Sequence, residues 1–168
     1  SVADTNDQTP AVTVAATYSQ AESSATTFQT YTIVDSDTAG TYSCTLGGTD
    51  AADFAKSVSG KVCTVTWAAA PNYESPADDG GNNVYDITIA FTDGTNDLGA
   101  QTTAITVTDA NDQTPVYQAA DADDAISIAE NTATSTVVDN GVITDTDTGN
   151  SFGCTLGGAD AGDFTCTI

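Results

Sequence analysis

Histidine and arginine are absent from this 168-residue chain, and only Lys56 and Lys61 stand against 24 acidic residues, for a net charge of −22. Each shortage excludes a class of function. Nucleic-acid and anionic-lipid binding need lysine and arginine to displace counterions, so neither partner is expected. Without histidine, the Ser-His-Asp and Cys-His mechanisms lose their base, and most catalytic zinc sites lose a ligand. No run of about 18 apolar residues exists, so no membrane span is expected. The N-terminus has neither the basic nor the apolar region of a signal peptide. It also begins abruptly, as a window cut from something longer would.

What is present is an acidic, Thr- and Ala-rich chain with 39% apolar residues. That is lean for a globular protein, yet Val, Ile, Tyr and Phe recur in patterned strings rather than at random. So large a negative surplus repels itself unless it is dispersed over a solvated surface or clustered around hard cations.

The placement of the acids bears on that choice. They concentrate at Asn6-Asp7, Asp35-Ser36-Asp37, Asp109-Ala110-Asn111-Asp112 and Asp145-Thr146-Asp147, each beside a strand-like run. Asp-x-Asp in extended backbone sets both carboxylates on one side about 6–7 Å apart, which is unfavourable without a cation between them. Asp and Asn also favour turns through local hydrogen bonding, so any one cluster is equally a solvated turn. Recurrence at matching places tips the balance toward cations.

That recurrence is an internal repeat. Asn6-Asp7-Gln8-Thr9-Pro10 returns as Asn111-Asp112-Gln113-Thr114-Pro115, an offset of 105. Cys44-Thr45-Leu46-Gly47-Gly48 returns as Cys154-Thr155-Leu156-Gly157-Gly158, an offset of 110, shared by the Asp-Ala-x-Asp-Phe strings that end at Phe54 and Phe164. The five extra residues fall between Pro115 and Asp145, as a loop insertion would. The expected organisation is the end of a preceding repeat at 1–8, one full repeat with its linker at 9–113, and the first half of another at 114–168.

Inside the unit, Val84 to Phe91 alternates, with Tyr85, Ile87, Ile89 and Phe91 on one face. Ala104–Thr108 and Val62–Trp67 behave likewise, and Asp79-Gly80-Gly81-Asn82, Asp93-Gly94-Thr95-Asn96 and Pro71-Asn72 mark turns. No stretch has a helical apolar period. Short strands with a turn every 8–12 residues read as an all-β, Greek-key sandwich of the immunoglobulin-like kind. Trp67 shares a face with Cys63 and Val65 and belongs to the core.

The four cysteines divide two per repeat, Cys44 with Cys63 and Cys154 with Cys166. Their matching strand positions predict one intra-domain disulfide in each, hence an oxidising compartment outside the cytoplasm. Zinc fits poorly, because close C-x₂-C spacing and histidine are both missing.

Together these residues resemble a known family. Thr108 to Pro115 is similar to the D-x-N-D-N-x-P linker that closes each cadherin repeat. Ala129-Glu130-Asn131, and more weakly Ala21-Glu22-Ser23, resemble the x-E-N near a repeat start. Asp35-Ser36-Asp37 and Asp145-Thr146-Asp147 look like the D-x-D, Asn72-Tyr73-Glu74 like the D-x-E, and Thr92-Asp93-Gly94 like the closing turn. The Ala- and Thr-rich wording looks more like the cadherin-like arrays of large prokaryotic surface proteins than like animal cadherins. The resemblance implies calcium ions between successive repeats. For the junction contained here it implies Glu22 and Glu74 from the first repeat, Asn111 and Asp112 with the carbonyls of Ala110 and Gln113 from the linker, and Asp145 and Asp147 from the second. Asn6, Asp7, Asp35, Asp37 and Asp93 would serve the preceding junction and Glu130 a following one. Asn72, Gln113 and Thr41 depart from the family pattern, Asn72 by removing a charge. The implied partners are neighbouring repeats of the same chain and identical chains in a filament or an adhesive contact.

Rival readings are weaker. Asp147-Thr148-Gly149 spells an aspartic-protease tripeptide but follows Asp-Thr instead of an apolar strand, and Asp145-x-Asp147-x-Gly149 starts a calcium loop whose twelfth position is Leu156, not Glu. A glycosidase needs two carboxylates in a cleft that a narrow sandwich does not offer. No enzyme is expected. The alternatives to calcium-stiffened adhesion are a purely structural shaft of a filament or surface layer and, further off, a carbohydrate-binding module. Asp121, Asp123 and Asp124 are expected to form a solvated face.

Overall fold

The structure, a computed structural model, describes residues 3–24, 26–120 and 126–168. Asp121, Asp123 and Asp124 lie outside the described residues. The chain forms two compact units, Ser1–Ala110 and Asn111–Ile168.

Among the described residues, seven strands build the first unit: β1 (Thr17–Ala21), β2 (Thr27–Thr32), β3 (Ser43–Gly47), β4 (Phe54–Ser59), β5 (Val62–Trp67), β6 (Val84–Thr92) and β7 (Asp97–Thr108). They divide into a sheet of order β1-β7-β6-β3 and a sheet of order β2-β5-β4. Every pairing is antiparallel except β1 with β7, which run side by side in the same direction from Thr17↔Ala104 to Ala21↔Thr108. The fold is an all-β sandwich, as the turn spacing predicts.

Alternation explains the core. On β6, Tyr85, Ile87, Ile89 and Phe91 are buried while Asp86 faces solvent; on β5, Cys63, Val65 and Trp67 face them, and β7 adds Ile105 and Val107. Trp67 is a core residue. Its ring lies 4.3 Å from Phe54 and 4.9 Å from Tyr85 between centroids, and its indole N–H donates to Gln20 Oε1 at 3.2 Å. Burying such side chains contributes about 1.5–3 kcal/mol each. The Cys44–Cys63 disulfide ties β3 of one sheet to β5 of the other, and both of its residues are fully buried.

The second unit pairs β8 (Val116–Gln118) with β9 (Val142–Thr144) in an antiparallel ribbon and carries the Cys154–Cys166 disulfide. It repeats a local feature of the first. Ala51–Asp53 and Ala161–Asp163 each form one 3₁₀ turn, closed by Phe54 or Phe164 in extended backbone. These turns arise from the twin Asp-Ala-x-Asp-Phe strings, which the helical-period reading passes over because a single turn carries no period.

Candidate metal centres

Among the described residues of the first unit, two groups of three carboxylates have oxygens within 4.8 Å of one another: Asp35, Asp37 and Asp93, and Glu22, Glu74 and Asp109. They flank β7, since Asp93 precedes it and Asp109 follows it. Twelve residues at about 3.3 Å each hold the groups roughly 40 Å apart, at opposite ends of the sandwich.

The first group is assembled from three segments. Asp35 and Asp37 leave β2, and the Asp37 N–H donates to Asp35 Oδ1 at 2.9 Å. Asp93 sits in the β6–β7 turn, where its Oδ1 accepts from the N–H groups of Thr95 and Asn96, both at 2.7 Å. The N-terminal segment closes the arrangement: Gln8 N–H donates to Asp37 Oδ2 at 2.8 Å, and the Asn6 amide donates to Thr95 Oγ1 at 3.1 Å. Asp37 and Asp93 are only 5% and 1% exposed. Burial opposes ionisation of Asp93, but the N–H groups of Asn96 and Thr95 and the amides of Asn96 and Asn6 outweigh it, holding its pKa down at about 2. Asp93 is therefore an anion at any ordinary pH.

Two oxygens here have no partner although they are buried: Asp35 Oδ2 and Asn6 Oδ1. Unpaired buried oxygens are costly, and a set of carboxylate and amide oxygens with no nitrogen or thiolate donor suits a hard cation. Calcium fits this donor set. Asp7 stands apart, exposed, with Oδ1 accepting from the Gln8 side-chain amide at 2.8 Å. Asp4, its neighbour in the same segment, takes the N–H of Thr38 at 2.7 Å. Thr41, where the family pattern has Asn, uses its backbone N–H on the Asp93 carbonyl at 2.7 Å.

The second group centres on Glu22, which is 3% exposed and directly follows β1. Glu22 N–H donates to the Thr108 carbonyl, continuing the β1–β7 ladder by one rung. Its carboxylate accepts from Tyr73 N–H at 2.7 Å and Ala110 N–H at 2.9 Å, which draws the loop bearing Glu74 and the segment bearing Asp109 together. Asn72 does not join them. Its side-chain oxygen caps the turn by accepting from Ser75 N–H at 2.8 Å. Asp109 is a member that the sequence reading misses, and its place at the head of Asp109-Ala110-Asn111-Asp112 is the available signal.

In the second unit, the Asp37 arrangement returns: Asp147 N–H donates to Asp145 Oδ1 at 3.0 Å, and Gln113 N–H to Asp147 Oδ2 at 2.8 Å. The Asp147-Thr148-Gly149 tripeptide thus lies in a polar turn. Asn111, Asp112 and Glu130 are exposed.

Other acids are buried for a different reason. Asp50 accepts from the N–H groups of Asp79 and Asp86 at 2.7 and 2.6 Å, and Asp78 from those of Asn82 and Asn83, both at 3.0 Å. These carboxylates satisfy loop backbone. Sequence spacing does not reveal them, because their partners are N–H groups, which every residue but proline carries.

No family model matches the chain, and no curated protein does. Solved structures do. Human protocadherin-24 repeats EC1-2 align over 83% of this chain and 61% of that one, at 24% identity and a TM-score of 0.59. Protocadherin gammaB7 EC3-6, described as a cis-dimer, aligns over 88% of this chain and 35% of that one, at 24% identity and a TM-score of 0.54. The human desmocollin-1 ectodomain aligns over 68% of this chain and 23% of that one, at 15% identity and a TM-score of 0.51. The fold is cadherin-like. This cadherin-like chain spans between about a quarter and three-fifths of those proteins.

Proposed function

We propose that this chain is a segment of an extracellular array of cadherin-like repeats, with calcium bound at the repeat ends and a role in adhesion or surface architecture. The observation that carries the reading is the pair of carboxylate groups at the two ends of one cadherin-like sandwich, each closed to within 4.8 Å. Three like charges so close are unfavourable alone and favourable around a divalent cation. Asp35, Asp37 and Asp93, with Asn6, would hold calcium at one end, and Glu22, Glu74 and Asp109 at the other. Asn111, Asp112, Asp145, Asp147 and Glu130 are assigned to the ends of the following repeat. Partners are neighbouring repeats, and identical chains in lateral contact. The buried disulfide supports a location outside the cytoplasm, and the Ala- and Thr-rich composition supports a large prokaryotic surface protein.

Thermal unfolding in calcium and in chelator tests this directly. With a Kd of roughly 10⁻⁴–10⁻³ M, calcium at about 10 mM stabilises by about 1.4–2.7 kcal/mol per site, which raises Tm by roughly 5–15 °C. A melt that ignores calcium would reduce the reading to an acidic structural shaft.

A further inference from the structure

Of the two basic residues in the chain, Lys56 reaches from β4 to the carbonyl of Cys44. Lys61 is differently placed. It follows Gly60 in the β4–β5 turn, and its own carbonyl is pinned by Ile33 N–H at 2.7 Å. Its ammonium donates to the carbonyl oxygens of Asp35 at 2.7 Å and Asp37 at 3.3 Å and lies 5.0 Å from the centre of the Tyr42 ring. It therefore sits behind the Asp35–Asp37 loop on backbone oxygens, leaving the carboxylates turned to one another.

The second unit supplies an internal comparison. The carbonyl of Asp147, which matches that of Asp37, accepts from the neutral side-chain amide of Asn150 at 3.0 Å. In the first unit a neutral donor serves the matching carbonyl as well, since the Tyr42 hydroxyl donates to that of Asp37 at 3.4 Å. Held on the backbone of the loop that carries Asp35 and Asp37, the Lys61 ammonium adds a fixed positive charge that offsets carboxylate repulsion when no ion is bound and opposes an ion that arrives.

We propose that Lys61 is a tethered counter-ion of the Asp35–Asp37–Asp93 group, a positioning residue that stabilises the ion-free form and weakens calcium binding there. The inference rests on the calcium reading above. It gives the first unit a site tuned to release calcium at higher concentrations than its carboxylates alone would set.

The test uses the full 168-residue chain with K61Q, K61M and K61R, melted in chelator and in saturating calcium and titrated calorimetrically with calcium chloride. In K61Q and K61M, Tm should fall in chelator but hardly in calcium, and one class of site should tighten by about three- to tenfold. K61R should match the parent. Equal losses of Tm in both conditions would show a loop tie only and overturn the proposal, as would unchanged or weaker calcium binding in K61Q. A parent chain that binds no calcium overturns the calcium reading and this proposal together, so the two failures are distinguishable.

Discussion

At the scale of single residues, the acids of this chain perform two kinds of work that composition cannot separate. Asp93 and Glu22 lie where carboxylates converge, whereas Asp50 and Asp78 accept backbone N–H groups from loops that would otherwise bury them unpaired. The Asp35-x-Asp37 and Asp145-x-Asp147 pairs stand out in the sequence because their spacing repeats. Glycine offers a sharper test of local geometry. Gly48 has φ of +98°, and a Cβ there would lie 2.6 Å from the Asp86 carbonyl oxygen and 2.8 Å from Ile87 Cα. Gly60 has φ of +57° with open space around it. Gly48→Ala should cost several kcal/mol, because backbone must move, and Gly60→Ala only about 1 kcal/mol. Urea unfolding of both variants checks the ranking; equal costs would mean the close approach at Gly48 is relieved without consequence.

At the scale of elements, legibility followed coverage. β6 and β5 are flanked by strands on both sides and covered on one face, so alternation along them is regular and readable. β4, an edge strand of sequence FAKSVS, is exposed beyond Phe54 and shows no apolar alternation. β7 extends from Asp97, although only its last five residues alternate, because its first half is held by pairing with β6 and little by burial. The cysteine pairs were readable from the repeat, but their environments were not. Cys44 and Cys63 are fully buried between the sheets, whereas Cys166 is exposed. Under mild reductant without denaturant, Cys154–Cys166 should open well before Cys44–Cys63, as thiol alkylation and mass spectrometry would show. Loss of the buried disulfide by paired Ala substitution should cost about 3 kcal/mol. Simultaneous reduction of both would mean that the first sandwich opens readily.

At the scale of the molecule, the net charge of −22 acts on every measurement of stability. Screening alone relieves part of that repulsion, so sodium chloride should raise Tm modestly. Calcium chloride at matched ionic strength should raise it further, by the amount due to bound ions. Identical melts in the two salts would assign the whole effect to screening. The clusters at the ends of β7 depend on three segments meeting, which no local spacing discloses.

The parallel pairing of β1 with β7 has a mechanical consequence. The chain enters the first sandwich beside the Asp93 turn, and it leaves beyond Thr108, at the end where β1 finishes. A load applied through the chain therefore pulls the first and last strands past each other along their length. Their ladder is strained in shear, so its rungs must fail together instead of peeling apart one at a time, and the repeat is built to carry tension end to end.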